Sequence, residues 1–144
     1  MCNDRAMPEL PLTGGCLCGG VRFEVSEPPQ FAGYCHCTRC QRRTGTAAAA
    51  SARLVPGSLR VTQGKELIRS YVPPEQGWPK DFCSVCGSAL WSRHREDSSL
   101  ISVRMGAFDA DPGVRPSYRQ FVASAAAWEP ITDDLPQFDG PRAS

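Results

Sequence analysis

The chain has 144 residues, a formal net charge of +1 and a 22% share of charged side chains. That length suits one domain, and so neutral a balance gives no general pull toward nucleic acid or an anionic membrane. Of the hydrophobic residues 15 are Ala and eight are Cys, while 13 Gly and 13 Pro are spread along the whole length; a helical bundle or coiled coil is excluded, because both keep Gly and Pro out of element interiors.

Residues 1–11 are polar, carry two prolines and read as a disordered lead-in to a single domain over residues 12–140. Met1 to Leu10 has no apolar core of a signal peptide, and no run approaches the length of a membrane span. A cytoplasmic location follows as an expectation. In a reducing compartment cysteines serve as ligands or reactive thiols rather than disulfides.

From Leu12 to Val25 a Gly-rich turn is followed by Val21, Phe23 and Val25 alternating with Arg22 and Glu24, the pattern of a half-buried strand that Pro28 and Pro29 end. Phe31 to Cys37 reads as a short extended piece, and Thr38 to Thr44 as one helical turn closed by Gly45. Thr46 to Ala52 is ambiguous, since Ala favours helix yet a strand packed closely on a neighbour also selects small residues. Leu59 to Thr62 and Leu67 to Tyr71 read as two strands of a hairpin around Gly64. Val72 to Lys80, with three prolines, is a loop; Phe82 to Trp91 holds a turn at Gly87 and then an extended piece. Leu100 to Met105 alternates as a strand, Asp109 to Pro116 is a loop, and the proline-broken tail from Tyr118 to Phe138 excludes a long helix. Trp91, Trp128 and Phe82 are assigned to the core.

Seven of the eight cysteines fall into three groups: Cys16-x-Cys18, Cys35-x-Cys37-x-x-Cys40 and Cys83-x-x-Cys86. In an extended segment residues two apart share a face, so Cys-x-Cys aims two sulfurs at one point. Cys-x-x-Cys before Gly87 forms a tight knuckle. Cys16, Cys18, Cys83 and Cys86 together complete a four-thiolate structural zinc site, worth roughly 10 to 16 kcal/mol apparent in small zinc peptides. Such a site would compensate for a thin core.

Cys35, Cys37 and Cys40 lack an obvious fourth protein ligand, and three ligands with an open position is the pattern of catalytic zinc. Two other readings stand beside it: a purely structural metal site and a partly oxidised redox set. His36 is the near candidate for the fourth ligand, but an extended backbone turns it away from Cys35 and Cys37. His94 lies in a charged, exposed stretch, and Cys2 is a bystander. Arg39, Arg42 and Arg43 flank the trio, either as a solvated turn or as guanidinium contacts for ligand carboxylates. With seven thiolates on two zinc ions the chain becomes slightly acidic.

These residues resemble the glutathione-dependent formaldehyde-activating enzyme family. The likeness rests on Gly15-Cys16-Leu17-Cys18-Gly19-Gly20-Val21-Arg22-Phe23, on Cys35-His36-Cys37-Thr38-Arg39-Cys40-Gln41-Arg42 followed by Thr44-Gly45, and on Phe82-Cys83-Ser84-Val85-Cys86-Gly87-Ser88-Ala89-Leu90. The tail Ala127-Trp128-Glu129-Pro130-Ile131 with Asp134-Leu135-Pro136 is a weaker match. The resemblance implies a mainly β fold of coiled antiparallel sheets, β-tent-like, stapled by a structural zinc on Cys16, Cys18, Cys83 and Cys86, with a second zinc on Cys35, Cys37 and Cys40. It also implies a carbon–sulfur lyase reaction that makes or cleaves S-hydroxymethylglutathione, with glutathione or another small thiol as partner. Water and Thr44 are the candidates for the general acid.

Two other classes remain at this point. A non-catalytic zinc scaffold or glutathione carrier predicts binding without turnover. A zinc-ribbon-like nucleic-acid binder is disfavoured by two Lys, a neutral balance and no aromatic stripe, so neither nucleic acid nor membrane is expected as a partner.

Overall fold

The computed structural model describes residues 8–142. The expected lead-in falls in its first seven residues, Cys2 among them, outside the described residues. The fold is mainly β. Strands β1 (Leu12–Gly15), β2 (Arg22–Val25) and β5 (Leu59–Gln63) make a three-stranded antiparallel sheet. The second sheet orders its strands β10-β3-β4-β9-β8-β7-β6. Its members are β3 (Phe31–Cys35), β4 (Ala49–Arg53), β6 (Ile68–Tyr71), β7 (Lys80–Cys83), β8 (Ala89–Arg93), β9 (Ile101–Arg104) and β10 (Pro116–Gln120). One α-helix, α1 (Thr38–Thr44), links β3 to β4. No helix among the described residues is long and apolar enough to cross a membrane.

Several expectations need correction. The segment before Val21 is not only a turn: Leu12–Gly15 pairs with Arg22–Val25, so the Cys16–Cys18 knuckle is the loop of a hairpin. The hairpin expected around Gly64 does not form. β5 joins β2 in the small sheet and β6 joins β7 in the large one. A two-residue hairpin turn of type I′ needs positive φ at both central residues. Here Gly64 alone supplies it, at φ 78°, and Lys65–Leu67 winds into a 3-10 turn that carries the chain from one sheet to the other. The sheets are also not purely antiparallel, because β10 runs parallel to β3. That strand was hidden in the proline-rich tail. Gly33 leaves the space that the Tyr118 ring of β10 occupies.

The ambiguous alanine run resolves as a strand. β4 lies between β3 and β9, with Ala49 and Ala52 buried. The core forms where the two sheets face each other: Phe23 and Val25 come from the small sheet, Leu90, Trp91 and Val103 from the large one, and Leu54 from the connection after β4. Phe23 meets Trp91 edge-on at 5.6 Å and Phe108 at 6.0 Å between ring centroids. Trp128, expected in the core, is instead 69% exposed. Its neighbours are one-turn and coil segments, with no sheet face to receive the indole.

Asp81 is buried on β7, opposite Trp91 of β8, where its carboxylate accepts from Trp91 Nε1 at 2.8 Å, from Arg93 Nε at 2.8 Å and from the Ser70 hydroxyl. Removing it strands a buried indole N–H and a largely covered guanidinium. Asp81→Ala is expected to destabilise the fold by about 3 kcal/mol, read as a fall in the urea midpoint at unchanged slope.

Candidate metal centres and a neighbouring cleft

The four-cysteine cluster is built by two knuckles from different sheets. Cys16 follows β1, and the N–H groups of Val21 and Gly20 donate to the Cys16 and Cys18 sulfurs at 3.2 and 3.4 Å. Cys83 closes β7, and Gly87, at φ 79°, turns the chain so that its N–H meets the Cys83 carbonyl at 2.8 Å. Ser88 ties the knuckles together: its Oγ accepts from the Leu17 N–H at 2.9 Å and lies 3.2 Å from the Cys86 sulfur.

The sulfurs of Cys16 and Cys18 are 3.5 Å apart and those of Cys18 and Cys83 3.9 Å, with all four within 4.8 Å of one another. A tetrahedron with Zn–S bonds of about 2.3 Å has edges of about 3.8 Å. The donor set therefore fits a tetrahedral metal ion and is far too open for disulfides. The crowding is electrostatically costly without a cation. The Gly20 N–H favours the Cys18 thiolate, yet the sulfurs of Cys16, Cys86 and Cys83, with residual burial, outweigh it and push that thiol up to about 11. Cys86 moves the other way, held at about 5 by the Ser88 hydroxyl and N–H.

The second cluster straddles the junction of β3 and α1. Cys35 ends the strand, Cys37 is the helix N-cap and Cys40 is buried in the first turn. Their sulfurs also lie within 4.8 Å of one another. Donation from the Cys35 and Cys40 thiols, and from the Cys40 N–H at 3.3 Å, holds the Cys37 thiol far below its ordinary range. Cys35 is pushed up in turn by its sulfur neighbours. One thiolate is thus favoured and its neighbours are not, a pattern a divalent cation would relieve.

His36 is not part of this cluster. The extended backbone turns it to the other side, where it is buried with Nε2 3.1 Å from Arg119 Nη1. Arg119 pairs with Asp133 at 2.7 Å and stacks on Tyr34. Burial, and then the Arg119 charge, lower the His36 pKa, so the folded protein keeps it neutral. The unfolded chain takes up a proton as the pH falls through about 6.5, and the folded chain does so only further down. Stability is therefore expected to decline below that value, and His36→Gln should flatten the decline by up to about 1.4 kcal/mol per pH unit relative to wild type. Chemical denaturation between pH 7.5 and 5.5 measures the difference. His94, expected to be exposed, is half-buried, with its ring edge-on to Trp78 at 5.3 Å.

The three arginines beside the trio separate. Arg39 and Arg42 are exposed, whereas Arg43 is half-buried, stacks over Phe82 at 5.2 Å and lines a cleft of about 720 Å³ that has Cys16 of the four-cysteine cluster in its wall. Thr44 Oγ1 lies 2.7 Å from both the Cys40 carbonyl and the Thr46 hydroxyl.

Two cations at the site carried no sequence signal. Lys80, on β7, donates to Ser92 Oγ at 3.1 Å; burial lowers its pKa, opposed by the Cys40, Cys37 and Cys35 sulfurs within its electrostatic reach. Arg104, on β9, donates to Ser51 Oγ at 2.7 Å and favours the Cys40 thiolate. Arg104 sits at a polar position of a strand read as half solvent-facing, and Lys80 ends a segment read as a loop but opens β7. Only the pairing of β9 between β4 and β8, and of β7 with β8, puts those positions beside the trio.

Comparison with known proteins adds to this geometry. The protein-family model described as glutathione-dependent formaldehyde-activating enzyme matches residues 11–124, which include all seven clustered cysteines. A curated protein of Halomonas elongata, named as a putative glutathione-dependent formaldehyde-activating enzyme, is 31% identical over 105 residues, covering 69% of this chain and 67% of that protein. A crystal structure of a Rhodobacter sphaeroides protein superposes with a TM-score of 0.57 at 29% identity, over 72% of this chain and 91% of that one.

Proposed function

The chain belongs to the glutathione-dependent formaldehyde-activating enzyme family, and from that premise we propose that it is a zinc-dependent carbon–sulfur lyase acting on a glutathione, or other thiol, adduct of formaldehyde or a similar small electrophile. In this reading Cys16, Cys18, Cys83 and Cys86 hold a structural zinc and Cys35, Cys37 and Cys40 a second, catalytic one. The observation that carries it is the inequality of the two clusters: four convergent sulfurs in one and three in the other, with His36 turned away. A closed tetrahedral site takes four protein ligands, and a site with three leaves a corner for a substrate sulfur. The free thiols suit a reducing compartment such as the cytoplasm.

Zinc on the trio supplies a positive centre that lets a ligand thiol ionise at neutral pH. In the forward direction the glutathione sulfur bonds the formaldehyde carbon, the carbonyl electron pair moves to oxygen, and that oxygen takes up the proton the thiol gave up. The reverse direction breaks the carbon–sulfur bond and returns the same groups. The chain contributes the orientation of Cys37, fixed by the Cys40 N–H, and a cation, Lys80, within electrostatic reach of the three sulfurs, which would favour the charge that develops on the oxygen.

Two-dimensional exchange NMR of glutathione with formaldehyde tests the reading. Zinc-loaded protein at catalytic concentration is expected to speed exchange between free and hydroxymethylated glutathione. An unchanged rate with saturable glutathione binding would replace the lyase with the carrier.

A further inference from the structure

The cleft beside the four-cysteine cluster holds more positive charge than its surroundings neutralise. Arg43 and Arg104 both line it. Arg43 Nη2 and Arg104 Nε are buried with no hydrogen-bond partner, and neither residue belongs to an ion pair among the described residues. The cleft's other arginine, Arg22, is satisfied by Asp109. Arg43 and Arg104 are also near enough to disfavour each other: burial and then the Arg104 charge lower the Arg43 pKa. Buried donors without partners and like charges without a counter-ion are both unfavourable, and native proteins keep few of them.

The trio does not supply the missing charge. Three thiolates around a divalent cation carry one net negative charge, set against Lys80, Arg43 and Arg104 together. An anion in the cleft would offset the remaining charge.

The walls of the cleft say what kind. Ala48, Ala49, Ala50 and Ala107 keep it open, and a Cβ added at Gly106 would meet nothing. Space of about 720 Å³ admits a peptide-sized ligand rather than a lone ion. Planar guanidinium forks pair best with carboxylates. We infer that Arg43 and Arg104 form a carboxylate-binding subsite that fixes the acidic end of the substrate while its other end reacts at Cys35, Cys37 and Cys40. The alanine run thereby gains a reason beyond close strand packing. The inference deepens the lyase reading and rests on it only for the reacting end. The carboxylate has two sources, the thiol partner or an aldehyde that itself bears a carboxylate.

Calorimetric titration of the metal-loaded protein separates them, with glutathione, its dimethyl ester and glyoxylate as probes. Wild type is expected to bind glutathione about tenfold or more tightly than the diester. Arg104→Gln should remove most of that preference while leaving diester affinity within about twofold, and Arg104→Lys should restore only part, because it returns charge without the fork. Arg42→Gln, on the exposed face of α1, should change nothing. Arg43→Gln repeats the test if Arg104→Gln melts early. Glutathione and diester binding alike, with glyoxylate binding that depends on Arg104, would assign the carboxylate to the electrophile. Affinities for every probe that ignore both arginines, or no binding of any probe, would overturn the subsite. A carboxylate preference without accelerated exchange would leave the subsite standing and remove the lyase.

Discussion

Cys83→Ser is expected to yield a chain that does not hold its native fold at 25 °C. Cys83 is fully buried where β7 ends, at the seam between the two sheets, and its sulfur is 3.9 Å from that of Cys18, contributed by the other sheet. A four-thiolate zinc site contributes roughly 10 to 16 kcal/mol apparent at neutral pH, whereas a whole domain is stable by only about 5 to 15. Losing one ligand of four removes an amount comparable to the entire margin. The apolar core is too small to make up the difference, because its large members come down to Leu12, Phe23, Leu54, Leu90, Trp91 and three valines. Serine adds a buried hydroxyl in place of a thiol that the knuckle was shaped around. Far-ultraviolet circular dichroism, melting and metal content should report one lost transition and loss of the tightly held zinc. Cys18→Ser, at an exposed ligand, is expected to fall in the same direction by less. A chelator strong enough to strip both sites should reproduce the Cys83→Ser spectrum. A Cys83→Ser protein that melted like wild type would remove the structural role assigned to this cluster.

The parts of this molecule that were legible in its sequence are those set by local chemistry. Cys-x-Cys and Cys-x-x-Cys-Gly fix the backbone of their own knuckles, and Gly45 and Gly87 take the positive φ their turns require. The partition of the cysteines into four and three followed from ligand number. What depended on distant pairing was not legible. Nothing near Gly64 reveals that β5 and β6 part company, because the partners that claim them, β2 and β7, lie some distance along the chain on either side. β10 is invisible without β3, whose Gly33 accommodates the Tyr118 ring. Trp128 shows the limit from the other side: hydrophobicity predicts burial only where an element presents a surface to bury against. At the site the same division holds. Arg43 is a candidate from sequence because it stands three positions after Cys40, but Arg104 and Lys80 come within reach of the trio only through the order of strands in the large sheet.

Cys37→Ser is expected to separate function from fold. Cys37 caps α1, accepting the Cys40 N–H at 3.3 Å, and serine is among the residues that cap a helix well, so the junction of β3 and α1 keeps its geometry. The four-cysteine cluster lies on other elements and loses no ligand. The melting transition should therefore stay within about 3 °C of wild type, the shift that roughly 1 kcal/mol produces in a domain of this size. The metal consequence is far larger. Two remaining sulfurs cannot define a tetrahedral site, and the ligand removed is the one whose thiolate its neighbours favour most. Zinc per chain should fall from two to one, and acceleration of glutathione–formaldehyde exchange should vanish rather than weaken. Acid should act on both sites in one direction, since protons compete with metal for thiolates, so zinc is retained at neutral pH and lost as the pH falls. The three-sulfur site, with one ligand fewer, should empty at the higher pH. A Cys37→Ser chain that kept two zinc ions and full exchange activity would put the chemistry elsewhere. One that unfolded while Cys83→Ser did not would reverse the roles assigned to the two clusters.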